Sequence, residues 1–100
     1  MTERNSVSDL PAPPLEVIYS GHVQGVGFRW TCQSISRRHP VTGTVRNRSD
    51  GTVELRVDGR PADVKLFLAD IVEKLSGNIQ DSQISQISDS VEFDGFQIIR

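Results

Sequence analysis

Cysteine occurs once in this chain, at Cys32. A single thiol excludes an internal disulfide and any paired-cysteine metal clip. Aromatic residues are also scarce, at 6% of 100 positions. The apolar-polar run TVELRVD, residues 52–58, carries none of them, although an RNA-binding sheet needs aromatics on its central strands. A surplus of charge is missing too. The net charge is −2, so no global field draws nucleic acid or an acidic membrane, and any bound anion must be attracted locally. No apolar run approaches the roughly 18 residues of a membrane helix. The opening MTERNSVSDLPAPP has no apolar core of a secretory signal. The expectation is a monomer of the reducing cytoplasm, with neither nucleic acid nor membrane as a partner.

What the chain does contain suits one domain with one core. Residues 1–14 are polar and then proline-rich, and read as a disordered tail ahead of a single domain at 15–100. LEVIYSG alternates as a strand. FRWTCQSISRRH reads as a helix, with Phe28, Cys32, Ile35 and His39 spaced four, three and four apart, and Pro40 ends it. VTGTVRN is a β-branched strand. Arg48–Gly51 (RSDG) forms a hairpin turn, and TVELRVD returns with Val53, Leu55 and Val57 on one face. Pro61 opens a second helix, whose buried stripe is Val64, Leu68, Ile71 and Leu75, helped by Phe67 and Val72. Beyond it, Ile79, Ile84 and Ile87 fit neither period; a short strand is expected at Ile84–Ser88, and FQIIR closes the chain as the final strand. The element order predicts an α+β, ferredoxin-like βαββαβ sandwich: a four-stranded antiparallel sheet with two helices on one face. Many functions share that architecture.

GHVQGVGFR, residues 21–29, lies between the first strand and the first helix. The first N–H groups of a helix have no internal partner, and the helix dipole adds partial positive charge there. Glycine lets successive N–H groups face one concavity, and Arg29 adds a guanidinium able to grip two phosphate oxygens. On its own the stretch reads equally as a connecting turn. It is not a Walker loop, because Phe28-Arg29-Trp30 stands where Lys-Ser/Thr is required. Nor does its glycine spacing match a dinucleotide fingerprint. No convincing acid–base pair is visible anywhere.

The stretch resembles the acylphosphatase signature GxVQGVxFR at every specified position. GTVRNRSDGTVE, residues 43–54, resembles that family's GWVRNxxDGTVE with one substitution, and no gap separates the two blocks. The resemblance implies a ferredoxin-like fold and metal-independent, cofactor-free hydrolysis of acyl phosphates to a carboxylate and inorganic phosphate. It implies that the phosphate is bound by the loop from residue 22 to 29, through Gln24, Gly25, Val26, Gly27, Phe28 and Arg29. Arg29 is then the essential side chain, and Asn47 orients the attacking water.

The chain departs from the family pattern at Ser36, His39 and Pro40, and again after the second helix, where Gly77-Asn78-Ile79 replaces Gly-Pro-Pro. Thr44 replaces a tryptophan, a change bearing on the mouth of the site. Trp30 reads as covering the edge of the core, Cys32 as a small core residue, His22 as a solvated strand end, and Asp50 as a turn residue. A rival reading keeps the fold but not the chemistry, as a module that binds a phosphate-bearing ligand or a protein.

Overall fold

The computed structural model describes residues 10–100. Its elements are β1 (Leu15–Gly21), α1 (Phe28–Ser36), β2 (Thr42–Asn47), β3 (Val53–Asp58), α2 (Pro61–Leu75), β4 (Ile79–Gln86) and β5 (Phe96–Ile98). The sheet runs in the order β4-β1-β3-β2-β5. The four expected antiparallel strands are its first four members. The fifth is a correction: β5 lies parallel to β2, with Gly43, Thr44 and Val45 opposite Phe96, Gln97 and Ile98, so the sheet has five strands and is mixed. After β4, residues 87–95 carry the chain from one edge of the sheet to the other, and β5 arrives beside β2 pointing the same way.

Alternation builds the core. In register, Val17 stands opposite Leu55, and Leu55 opposite Val45; all three are buried. The helices close over this face with Phe28, Cys32 and Ile35 from α1 and Val64, Phe67, Leu68, Ile71 and Leu75 from α2. Each fully buried large apolar side chain contributes about 1.5–3 kcal/mol. Burial pushes the Cys32 thiol up to about 12, so this cysteine is a small apolar filler with little thiolate character. Val72, expected in the buried stripe of α2, points outward and is exposed. Helix α1 stops at Ser36, three residues short of its expected end, and tighter i→i+3 bonds finish the segment, with Arg38 N donating to Ile35 O and His39 N to Ser36 O. There His39 Nε2 lies 2.7 Å from Asp70 Oδ2 and pins the end of α1 to α2.

The opposite face of the sheet carries a ladder of charge. Arg46 forms a two-pronged bond to Glu54, at 3.0 and 3.1 Å, and Arg56 Nε reaches Glu16 at 3.1 Å. Glu54 is buried beneath these arginines. The bond from Arg46 holds its carboxyl below the ordinary carboxylate range.

Strand β4 was expected at Ile84–Ser88 and instead spans Ile79–Gln86. Its register slips between Ser20 and Gly21, where Asp81 faces Ser20 but Ile79 faces Gly21. The extra residue is a bulge, and it reverses the alternation. Ile79 and Ile84 therefore both pack against the core, although five positions separate them. Of the expected tail, residues 1–9 lie outside the described residues. Residues 10–14 are held rather than loose: Leu10 packs partly buried against the core, Ile87 N donates to Pro14 O at 2.9 Å, and Gln86 Nε2 donates to Ala12 O at 3.0 Å. Among the described residues no helix is long and apolar enough to cross a membrane.

Candidate active site

Between β1 and α1 the backbone turns sharply. Gly25 and Gly27 have φ of 78° and 77°, the left-handed region that costs a residue bearing a Cβ about 1–2 kcal/mol. Gly27 is the N-cap of α1, and no side chain caps it. The loop is fastened by other groups. His22 N donates to Asn78 O at 2.9 Å, while Gly27 O accepts from Thr31 N at 2.9 Å and from Thr31 Oγ1 at 2.8 Å. Gln24 Nε2 donates to Arg48 O at 2.8 Å and to Thr52 O at 2.9 Å. Among the described residues, none of the main-chain N–H groups from Gln24 to Trp30 has a protein acceptor. Seven adjacent N–H groups at the positive end of a helix dipole are thereby left for an external acceptor.

The loop faces the end of β2 across a cleft of about 170 Å³, lined by Val23, Gly25, Gly27, Phe28, Arg29, Trp30, Asn47 and Ile98. Arg29 is half-buried and has no carboxylate partner among the described residues. Asn47, the last residue of β2, presents a side-chain oxygen that is buried without a hydrogen-bond partner among the described residues. An orphaned buried acceptor costs about 1–3 kcal/mol. In the neighbouring hairpin turn, Asp50 Oδ1 accepts from Thr52 N at 3.0 Å and from Thr52 Oγ1 at 2.6 Å. Those bonds hold the Asp50 carboxyl below its ordinary range.

The structure thus brings Arg29 and Asn47 to one cleft from two separate sequence blocks. The other loop residues divide. Gly25 and Gly27 line the cleft. The side chain of Phe28 is buried against Tyr19, with ring centroids 5.3 Å apart, so only its main chain serves the cleft. The Gln24 side chain is committed to the hairpin, and Val26 is exposed without lining the cleft. Thr44 does not line it either. Thr44 stands in register with Arg56 on the charged face, so its departure from the family pattern leaves the cleft untouched.

Two cleft residues were missed or misread. Trp30 does not cover the core edge; it is 63% exposed and lines the cleft. A helical projection carries the signal, because Trp30 falls outside the stripe of Phe28, Cys32 and Ile35. Ile98 enters only through the parallel pairing of β5, which no local pattern announces.

Fold and cleft together define a small α+β domain that offers an anion a cradle of amides, a guanidinium and a neutral side-chain amide. Residues 15–98 match the family model of acylphosphatase. The sequence is 43% identical over 81 residues to an acylphosphatase of Bacillus licheniformis, covering 81% of this chain and 88% of that protein. It is 33% identical over 85 residues to an acylphosphatase of Lacticaseibacillus paracasei, covering 83% of this chain and 91% of that one. The crystal structure of acylphosphatase from Bacillus subtilis superimposes with a TM-score of 0.75 at 25% identity, over 86% of this chain and 97% of that one. The chain belongs to the acylphosphatase family.

Proposed function

We infer that the protein hydrolyses acyl phosphates to a carboxylate and inorganic phosphate, and that the cleft between the glycine loop and Asn47 is where it does so. The observation that carries this reading is the run of unpaired amides from Gln24 to Trp30 beside an unpaired Arg29. Phosphoryl transfer spreads negative charge over the equatorial oxygens, and preorganised donors aimed at those oxygens stabilise that charge. Arg29 grips two of them in its planar fork, and the amides take the rest.

Asn47 orients the nucleophile. Asn47 lines the cleft, and its side-chain oxygen has no hydrogen-bond partner among the described residues, so that acceptor is free for a water. There it accepts one O–H of a water and directs a lone pair at phosphorus. The water oxygen bonds to phosphorus as the bond from phosphorus to the acyl oxygen breaks. The carboxylate leaves with that electron pair, and the water proton passes to a phosphoryl oxygen. A carboxylate with a conjugate-acid pKa of roughly 4–5 leaves without protonation, so the reaction needs no general acid. Charge is met by amides and guanidinium, which supports a metal-independent route. The expected setting is a monomer in the cytoplasm, acting on a small molecule and needing no cofactor.

Hydrolysis of benzoyl phosphate in the presence of a chelator tests the proposal, with Arg29→Ala alongside. The wild-type protein is expected to hydrolyse it far faster than buffer. Arg29→Ala is expected to lose inorganic-phosphate binding and hydrolysis together. A wild-type rate equal to buffer, with phosphate binding intact, would identify a non-catalytic phosphate-binding module. A rate abolished by the chelator would overturn the metal-free route.

A further inference from the structure

We propose that Trp30 and Ile98 form the wall that recognises the acyl group, and that they make this protein select flat, apolar acyl phosphates over short hydrophilic ones. The inference rests on the hydrolase reading above and deepens it. Exposed apolar surface is concentrated around the phosphate cradle. Of the five large hydrophobic side chains exposed among the described residues, Val26, Trp30 and Ile98 belong to the loop or the cleft, and only Leu66 and Val72 lie elsewhere. Trp30 is 63% exposed and Ile98 37%. An indole left that open in the first turn of α1, with an isoleucine lining the same cleft from β5, has no role in the core.

The polar groups of the cleft are already assigned. The amides and Arg29 face the phosphoryl oxygens, and Asn47 faces the water. No second charged side chain lines the cleft, so nothing there pairs with an anion or cation carried by the acyl group. The acyl oxygen leaves on the side opposite the water, so the acyl group must lie along the cleft wall. The two large apolar side chains exposed on that wall are Trp30 and Ile98. An aryl ring laid against an indole gains offset stacking in addition to buried apolar area, at about 25 cal/mol for each Å² removed from water. A methyl group covers too little of either surface to gain much. Contacts to this remote part of the substrate hold the ground state and the transition state about equally, so they act mainly on KM.

Steady-state kinetics on benzoyl phosphate and acetyl phosphate, with Trp30→Ala, Trp30→Phe and Ile98→Ala, test the wall. Wild-type protein is expected to favour benzoyl phosphate in kcat/KM by at least about tenfold, within the range a single apolar pocket supplies. Trp30→Ala is expected to lose about tenfold on benzoyl phosphate, chiefly through KM, and to stay within about twofold on acetyl phosphate. Trp30→Phe should restore most of the loss, and Ile98→Ala should show a smaller loss of the same kind. Unchanged inhibition by inorganic phosphate shows that the cradle still folds. Equal losses on both substrates, or none on either, would overturn the proposal. Should the wild-type protein turn over neither substrate, the hydrolase reading fails by itself, and calorimetry with the non-hydrolysable benzoylphosphonate still decides the wall. Binding about tenfold weaker in Trp30→Ala supports it; equal affinity, or no binding to either protein, refutes it. Trp30 is the only tryptophan, so its emission reports occupancy directly.

Discussion

The side-chain amide of Gln24 bridges to the main-chain carbonyl of Arg48 at 2.8 Å, and the same nitrogen reaches Thr52 O at 2.9 Å. One polar side chain thereby ties the glycine loop to the hairpin that begins just beyond Asn47. The two halves of the cleft come from separate parts of the chain, and this bridge ties them directly.

Gln24→Glu should break that bridge, because a carboxylate cannot donate to two carbonyls. Arg48 O and Thr52 O then keep only their main-chain donors, Gly51 N and Arg48 N, and face a carboxylate in place of the lost amide, at a cost of about 1–3 kcal/mol. Urea denaturation should show that loss. Hydrolysis should fall by about tenfold or more, since small misplacements of reacting groups are expensive. A variant with wild-type kinetics would show that the cleft keeps its spacing without Gln24.

Asn47→Ala should separate activity from stability. The side-chain oxygen it removes is buried and unpaired, so its loss relieves a cost of about 1–3 kcal/mol and should leave the fold at least as stable as the wild type. The same change should lower kcat by about 100- to 1000-fold, the scale seen when one preorganised polar group is removed from a transition state. Inorganic phosphate should inhibit the variant as it inhibits the wild type. Normal hydrolysis by Asn47→Ala would remove Asn47 from the mechanism.

Gly43→Ala should damage the fold without touching the cleft. A Cβ at Gly43 would collide with Arg56 O, a backbone atom held in the β2–β3 pairing. The strands must part to admit it, at a cost of about 3 kcal/mol. For a chain of this size the melting temperature should fall by about 12 °C or more. Calorimetric scans of the two proteins decide the point.

Glu54 should give the protein an acid limb. Its carboxyl is held below the ordinary value of 4.5, first by the hydrogen bond from Arg46. A depressed pKa in the folded state contributes stability that is fully present above the unfolded value and lost as pH falls through the folded one. Stability should therefore decline from about pH 4.5 downward. Glu54→Gln should be less stable at pH 7, and its disadvantage should shrink as the pH is lowered. Urea midpoints at pH 7, 5, 4 and 3 for both proteins provide the comparison, and parallel curves would assign the acid limb to other carboxylates.

The parts of this molecule that were legible in its sequence are those governed by neighbours along the chain. Val53, Leu55 and Val57 announce β3 by alternation alone. Asp-Gly marks the turn, and Gly25 and Gly27 mark a backbone that must turn sharply before a helix. The rest depends on pairing between distant segments. Strand β4 is polar, and its bulge resets the alternation of its isoleucines, so no single period describes it. The parallel seating of β5 joins residues 43–45 to residues 96–98, and no nearby residue records it. Ile98 was therefore unreadable as a cleft residue. Gln24 was legible as part of the site but not in its role, because its partners are main-chain carbonyls that every residue possesses.

If the uncommitted donors of the loop take inorganic phosphate as proposed, heat resistance also depends on the reaction's own product. Whatever binds only the folded chain stabilises it by mass action, by about 2.7 kcal/mol at a ligand concentration one hundred times its dissociation constant. In a phosphate-rich compartment the enzyme would be slowed and sturdier; where phosphate is scarce it would turn over faster and melt sooner.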